Sequence, residues 1–393
     1  MAAVVRRNNG RLHPRRATYA ATAVAIAIAA CTAIAGCASS SSGTSGAAAG
    51  PSPASTSLAG LKPLSLTVGL ATPSAQNGDL FWAVGTGLFA KLGLNVTLDT
   101  SGGGNTASEL ATGQLVIGNS GVPQMFTPLA SGRQMQLVFA DTSGDGAAAI
   151  TVSAKSSYKT IMDLSGKSVG TIGVNGASYG AASAYSQYIV AHGGKPLNLV
   201  VGASASADAA SLVSGSIQAI VGSPSFAAGI EAGQFRQMLA TNAPQAIAIT
   251  GGRETASGYI GLSSSLASNS EAITRFVAGL RIARAEVGNA SSSQVAAEFQ
   301  KSAPFAPSVI SLPDLTQQIT QVRGFWAQND LQISQAQWSV SLAAFSKWGL
   351  MSDTNAPLNL KSATFSYANV VNMAYWNAAT PLVKAYDAKY GSH

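Results

Sequence analysis

A strand–helix alternation begins at Leu64, runs to about residue 142 and then starts again, and this double series constrains the chain more than any other feature. "LSLTVGLA" (64–71) alternates and predicts a strand, while "NGDLFWAVGTGLFAKLG" (77–93) has apolar residues at helical spacing and a glycine stop, predicting one helix. Strands are predicted over 94–100, 115–120 and 136–142, with helices over 105–114 and 123–132 between them. The second series has strands over 147–154, within 160–174, over 197–203 and over 217–223, with helices over 179–194 and 206–216. Such alternation predicts an α/β fold of mostly parallel sheets flanked by helices, and its restart predicts two lobes. Helical periodicity dominates 268–350, as in "NSEAITRFVAGLRIARAEV" (269–287). Strand order does not follow from these patterns.

The N-terminal end answers a different question. Residues 1–16 carry Arg6, Arg7, Arg11, Arg15 and Arg16 and no acid, and an uncharged apolar stretch follows from Ala17. A positive segment followed by an apolar one is the pattern of an export signal. Ile34-Ala35-Gly36-Cys37 resembles the lipobox of bacterial lipoproteins, which implies lipidation and cleavage at Cys37. Ile28-Ala29-Ala30-Cys31 fits the same loose pattern, but Cys37 gives the longer apolar segment and is followed at once by a polar stretch. An uncleaved anchor stays open, since about 20 apolar residues span a bilayer. Residues 38–60 are almost all Ser, Gly, Ala, Thr and Pro, too poor in apolar surface to offset ordering entropy, and are expected to form a disordered tether.

Processing changes the charge argument. The full chain is +7, but five of its 23 basic residues and none of its 16 acidic ones precede Cys37, leaving +2. No basic run survives, so nucleic acid is not an expected partner. With Cys37 lipidated and Cys31 in the signal, no disulfide is available. A chain of 393 residues with 47% hydrophobic content can instead rely on burial.

"GLFAKLGLNVTL", "GGGNTASELATGQLVIGNSGVPQ", "ASGRQMQLVFA" and "IMDLSGKSVG", in that order, resemble the periplasmic substrate-binding proteins of ABC importers of the sulfonate, nitrate and thiamine-precursor type. "LVSGSIQAIVGSPSF" resembles that family's second-lobe copy of "LATGQLVIGNS", and "NSEAITRFVAGLRIA" its C-terminal helix. The resemblance covers about residues 64–350. It departs at Val116 and Gln218, where the family usually has Asp, and at Ser223-Pro224-Ser225, where a Glu-Pro pair is common. It implies a two-lobed periplasmic-binding-protein fold of type II character. The expected division is a signal peptide (1–36), lipidated cysteine and tether (37–62), first lobe (63–147), second lobe (148–247), and a return to the first lobe with C-terminal helices (248–393). The implied function is an extracytoplasmic, membrane-anchored receptor, monomeric and without cofactor or metal, that delivers a small molecule to a permease and its ATPase.

Ligands of open α/β sheets bind outside the carboxyl ends of the strands. That rule selects five segments, 71–79, 118–124, 140–146, 173–180 and 222–226, all rich in Gly, Ser, Asn and Thr. Their candidate ligand contacts are Asn77, Asp79, Trp82, Asn119, Ser120, Gln124, Asp141, Thr142, Asn175, Ser178, Tyr179, Ser223 and Phe226; Trp82 lies one turn beyond the first segment. Several could equally be helix caps, and Trp82 a core residue. The segments contain Asp79, Asp141 and Asp145 but no Lys or Arg, which leans towards a neutral or cationic ligand, or an anion held by helix N-termini.

Two alternatives belong to other classes. One is a ligand-sensing lipoprotein. The other is a serine hydrolase, because "GASYG" (176–180) matches the Gly-x-Ser-x-Gly elbow between a strand and a helix. Apart from His13 in the signal, the chain has only His192, near the far end of the same predicted helix, and His393, the last residue. Neither is placed to serve Ser178 as a base, so no catalytic residue is expected.

Overall fold

The computed structural model describes residues 57–71, 73–102, 106–143, 148–172, 176–202, 205–222, 233–240, 243–251, 255–327, 332–349 and 357–391. Cys37 and the N-terminal signal, together with Asn175, Ser223, Phe226 and His393, lie outside them.

Among the described residues, ten strands form two five-stranded sheets. β1 (Leu64–Leu70), β2 (Leu94–Asp99), β3 (Ile117–Gly121), β4 (Met135–Ser143) and β10 (Thr255–Leu262) make the first, in the order β2-β1-β3-β10-β4. β5 (Ile150–Ser153), β6 (Ser168–Ile172), β7 (Asn198–Gly202), β8 (Ala219–Val221) and β9 (Phe235–Leu239) make the second, in the order β7-β6-β8-β5-β9. In the first sheet β1 pairs parallel with β2 and β3, while β10 runs antiparallel to β3 and β4. In the second, β6 pairs parallel with β7 and β8, while β5 runs antiparallel to β8 and β9. The two sheets therefore share one topology, each with a single reversed strand in the fourth place. Four of the five strands in each sheet run in one direction, the mostly parallel arrangement that the sequence pattern predicted, and the reversed strand makes each sheet mixed.

β1 shows why the first sheet is covered on both faces: Leu66, Val68 and Leu70 are buried on one side, and Gly69 is buried between them. One face packs on Phe81, Phe89, Phe276 and Phe299, from helices Gly78–Gly85, Leu88–Lys91, Ser270–Asn289 and Ser292–Phe299. The C-terminal helix Ala374–Tyr390 joins this layer through Tyr375, Leu382 and Tyr386. The other face holds Phe126, Trp338, Phe345, Trp348 and Phe365. Around the second sheet, Val152, Val169, Tyr185, Ile189 and Val221 form a separate core.

Local chemistry explains several boundaries. The segment 77–93 is two helices rather than one, because Gly87 takes φ +67°, a left-handed conformation that ends a helix and that side chains disfavour. The helix predicted over 123–132 is a 3₁₀ turn, Val122–Met125, followed by a short helix, Phe126–Ala130. Thr160 and Asp163 form a capping box at the turn before β6, and Ser291 and Gln294 form another before Ser292–Phe299. The departure at Gln218 is accommodated by hydrogen bonds: its Oε1 accepts from Ser168 N at 3.1 Å and its Nε2 donates to Gly215 O at 2.9 Å.

Candidate ligand-binding site

The carboxyl ends of β1 and β3 and the start of the antiparallel β10 converge on one side chain, Asp141, near the end of β4. Its Oδ2 accepts from Asn77 Nδ2 at 2.8 Å, after β1, and from Asn119 Nδ2 at 3.0 Å, on β3. Ser257 Oγ on β10 lies 3.4 Å away and is paired with Thr142 Oγ1 at 2.6 Å. Asn77 is held at its other end as well, its Oδ1 accepting from Ser74 N at 3.1 Å. One carboxylate thus gathers the segment after β1 and the ends of β3 and β10 around the end of β4.

Asp79 sits in the first turn of Gly78–Gly85, where its Oδ1 accepts from Leu80 N at 2.9 Å. Its Oδ2 pairs with Arg284 Nη2 at 3.0 Å, and the same nitrogen donates to the main-chain O of Asp141 at 3.1 Å. Asp79 and Asp141 are 0% and 1% exposed and Arg284 is 8% exposed, so the ion pair is a buried one. Burial, followed by the neighbouring Asp79 carboxylate, pushes Asp141 up to about 7; Arg284 and the two asparagine amides oppose that rise. Burial, with Asp79 and Asp141, likewise drives the Tyr259 phenol well above its ordinary value.

Five predicted residues, Asn77, Asp79, Asn119, Asp141 and Thr142, are therefore brought together, and all are buried. Asn77 and Asn119 meet at Asp141, and the other described bonds of the five run to Arg284, Ser257 and nearby main-chain nitrogens, so the group braces the strand ends. Arg284 was missed in the sequence because it lies on helix Ser270–Asn289, some 200 residues from Asp79.

The second sheet meets this edge at Gly121. A Cβ there would stand 3.6 Å from Ala177 N and 3.7 Å from Gly176 Cα, at the start of helix Ala177–Ala191. A Cβ on Gly222 would lie 3.6 Å from Cβ of Ser178. Ser120 and Gln124, joined through Ser120 Oγ and Gln124 Oε1, flank the first contact, and Ser178 and Tyr179 follow the second at half-buried positions. The edges of the two sheets thus face each other at segments that the strand-end rule selected.

Trp82 is placed elsewhere. Its Nε1 donates to Glu286 Oε2 at 2.6 Å, and its ring lines an open groove of about 460 Å³ with Lys91, Tyr386 and Tyr390. Glu286 also accepts from Tyr386 OH at 3.0 Å, and Lys91 Nζ lies 5.2 Å from the centre of the Tyr390 ring. This groove lies between the helices on the outer face of the first sheet, away from the strand-end segments.

Ser178 is in the first turn of its helix and His192 caps the other end, with Nδ1 2.8 Å from Tyr188 O. Fourteen residues of helix separate them by about 20 Å. Among the described residues, no group of three or more His, Cys, Asp or Glu side chains is placed to hold a metal ion, and no helix is long and apolar enough to cross a membrane.

Two mixed sheets of one topology, facing each other at their strand ends, define the two-lobed architecture of periplasmic binding proteins. The chain belongs to the NMT1/THI5-like family, whose model matches residues 75–287. Its fold is similar to that of a Bordetella bronchiseptica RB50 protein, at 18% identity and a TM-score of 0.63, covering 83% of this chain and 98% of that one. It is also similar to the alkanesulfonate-binding protein SsuA from Xanthomonas axonopodis pv. citri, solved with MOPS, at 15% identity and a TM-score of 0.52, covering 72% and 94%. A further similar structure is the desulfurization enzyme DSZB, at 15% identity and a TM-score of 0.50, covering 80% and 99%. No curated protein matches the chain in sequence.

Proposed function

We propose that the protein is the extracytoplasmic solute-binding component of an ABC importer. It captures a small polar molecule between its two lobes and presents it to a membrane permease energised by a separate ATPase. The observation that carries this reading is the convergence of strand-end segments from both sheets at Gly121, Ala177, Ser178 and Gly222, in a chain of the NMT1/THI5-like family. SsuA, which shares the fold, is an alkanesulfonate-binding protein, and that supports a receptor role without fixing the ligand.

The same fold carries an enzyme in DSZB, so fold alone does not exclude catalysis. Chemistry favours binding: Ser178 has no histidine within reach among the described residues, and Asp79 is neutralised by Arg284. The ligand contacts in this reading are Ser120, Gln124, Ser178 and Tyr179, with Asn175, Ser223 and Phe226 joining from the adjoining segments. Asn77, Asp79, Asn119, Asp141 and Thr142 shape the first-lobe edge. Lipidation at Cys37 would keep the receptor at the membrane, with the Ser/Gly/Ala-rich stretch as its tether.

The test is mass spectrometry of small molecules released on denaturing the purified protein, followed by titration of the molecule found. One stoichiometric metabolite whose affinity drops in Gln124→Ala and Tyr179→Ala supports the reading. Absence of any retained molecule, both there and after dialysis against a whole-cell metabolite extract, sinks it.

A further inference from the structure

Among the described strands the chain crosses between the sheets twice, from β4 to β5 and from β9 to β10, and besides the contact at Gly121 a further link between them is made without covalent continuity. Helix Gln335–Lys347 lies along the second crossing. Thr255 N, at the start of β10, donates to Ser341 Oγ at 2.9 Å, and a Cβ on Gly251 would come within 2.7 Å of Ala344 Cα. Just past the helix end, Trp348 Nε1 donates to Thr250 O at 2.9 Å, so the indole is fixed to the same crossing.

From there the indole reaches the second lobe. Gly180, in the first turn of Ala177–Ala191, has no room for a side chain: a Cβ would fall 1.9 Å from Trp348 Cε3. Trp348 is 1% exposed and shares its apolar cluster with Ala184 of that second-lobe helix. Its other side packs on Phe345 at 4.9 Å between ring centres, Phe345 packs on Phe126 at 5.3 Å, and Phe126 packs on Phe365 at 5.3 Å. A continuous row of rings thus runs from the first-lobe helix Phe126–Ala130 to a glycine seat on the second lobe.

We infer that Trp348 is a positioning residue of the cleft, the pin of a helical strap that holds the start of helix Ala177–Ala191 against the first-lobe edge. The seat at Gly180 is three residues from Ala177, which faces Gly121, so a small rotation about this contact moves the segment that meets β3. Lobes that hinge on two chain crossings alone can separate freely. With the indole seated, separation must either unseat it or carry helix Gln335–Lys347 along. The fraction of molecules with the lobes already apposed sets the apparent ligand affinity, and the strap raises that fraction. This rests on the receptor reading for its use, but the mechanical claim concerns the unliganded protein.

Electron–electron distance measurement between spin labels tests it without a ligand. Cysteines replace the exposed Gln114, on the first lobe, and Lys195, on the second, with Cys31 and Cys37 changed to Ser. Trp348→Ala is expected to broaden and lengthen the distance distribution relative to the parent, and Gly180→Ala to shift it by displacing the ring. Phe365→Ala, which opens a cavity at the far end of the same row, is expected to lower the melting temperature without changing the distribution. Coincident distributions in the parent, Trp348→Ala and Gly180→Ala overturn the strap and leave ligand capture untouched. A change of equal size in Phe365→Ala overturns it too, since loosening of the core would then suffice. If Trp348→Ala does not fold, Trp348→Phe with Gly180→Ala decides the matter.

Discussion

Raising the pH from 5 to 8 should destabilise this protein through Asp141. Its carboxyl titrates near 3.8 in the absence of the fold and is pushed up to about 7 within it, first by burial and then by Asp79. In that interval the folded state binds a proton that the unfolded state has released, so stability falls as pH rises. The contribution is whole below about pH 4 and gone above about pH 7. With 1.36 kcal/mol per pKa unit, the part lost between pH 5 and 8 is about 2 to 3 kcal/mol. Asp208, buried against Gly170 and Gly202 and pushed up to about 6, adds a slope of the same sign, so the wild-type profile alone does not isolate Asp141. Asp141→Asn does: an amide keeps one acceptor for Asn77 or Asn119 and carries no charge at any pH. Urea unfolding followed by fluorescence at pH 5, 6.5 and 8, with the m-value checked for constancy, should show a wild-type decline steeper than the variant's by that amount. Equal slopes, or a wild type more stable at pH 8 than at pH 5, would refute the linkage.

The rest of the network makes separate predictions. Arg284→Leu should cost about 3 to 5 kcal/mol, because it leaves Asp79 buried without its partner; Asp79→Leu/Arg284→Leu should cost much less than the two single changes together, which a double-mutant cycle in denaturant measures. Trp82→Phe should lose about 1.5 to 3 kcal/mol with its bond to the Glu286 carboxylate, read as a lower denaturation midpoint at unchanged m-value. Ser291→Ala removes the capping box of Ser292–Phe299 and should cost about 1 kcal/mol by the same measurement.

Much of the architecture was legible because apolar periodicity reports which residues face a core. β1 and β4 lie within a residue of where the pattern put them, and the helix Ala177–Ala191 within three. β9 and β10 were not read at all. β10 contains Gly258 and Gly261 in "TASGYIGL", and its burial is nearly continuous, so it lacks the alternation that marks a half-exposed strand. Strand direction was hidden for a related reason. The reversed strands, β5 and β10, are the ones entered on crossing between sheets, and both partners of each, β8 and β9 for β5 and β3 and β4 for β10, are distant in the chain. Local pattern records whether a residue is buried, and carries no record of which strand lies next to it.

The site divides along the same line. Strand-end logic located Asn77, Asn119, Asp141 and Thr142 from turn chemistry alone, since short polar residues at the ends of apolar runs stand out. It did not reveal what those residues do, because that depends on Arg284, contributed by a helix after both crossings. Without a cation, three acids in ligand loops suggest an acidic cleft; with one buried beside Asp79, the same residues become a brace whose charge is turned inward. Trp82 makes the complementary case. An aromatic side chain one turn into the first helix suits a ligand platform, yet the direction of a helical side chain is set by what packs beside it, and here Glu286 and the C-terminal helix claim the ring. Residues that lie between the lobes have to be identified from both lobes at once. That is why Gly121 and Gly180 report the approach of the two halves through the space a side chain would need, whereas the polar residues beside them do not.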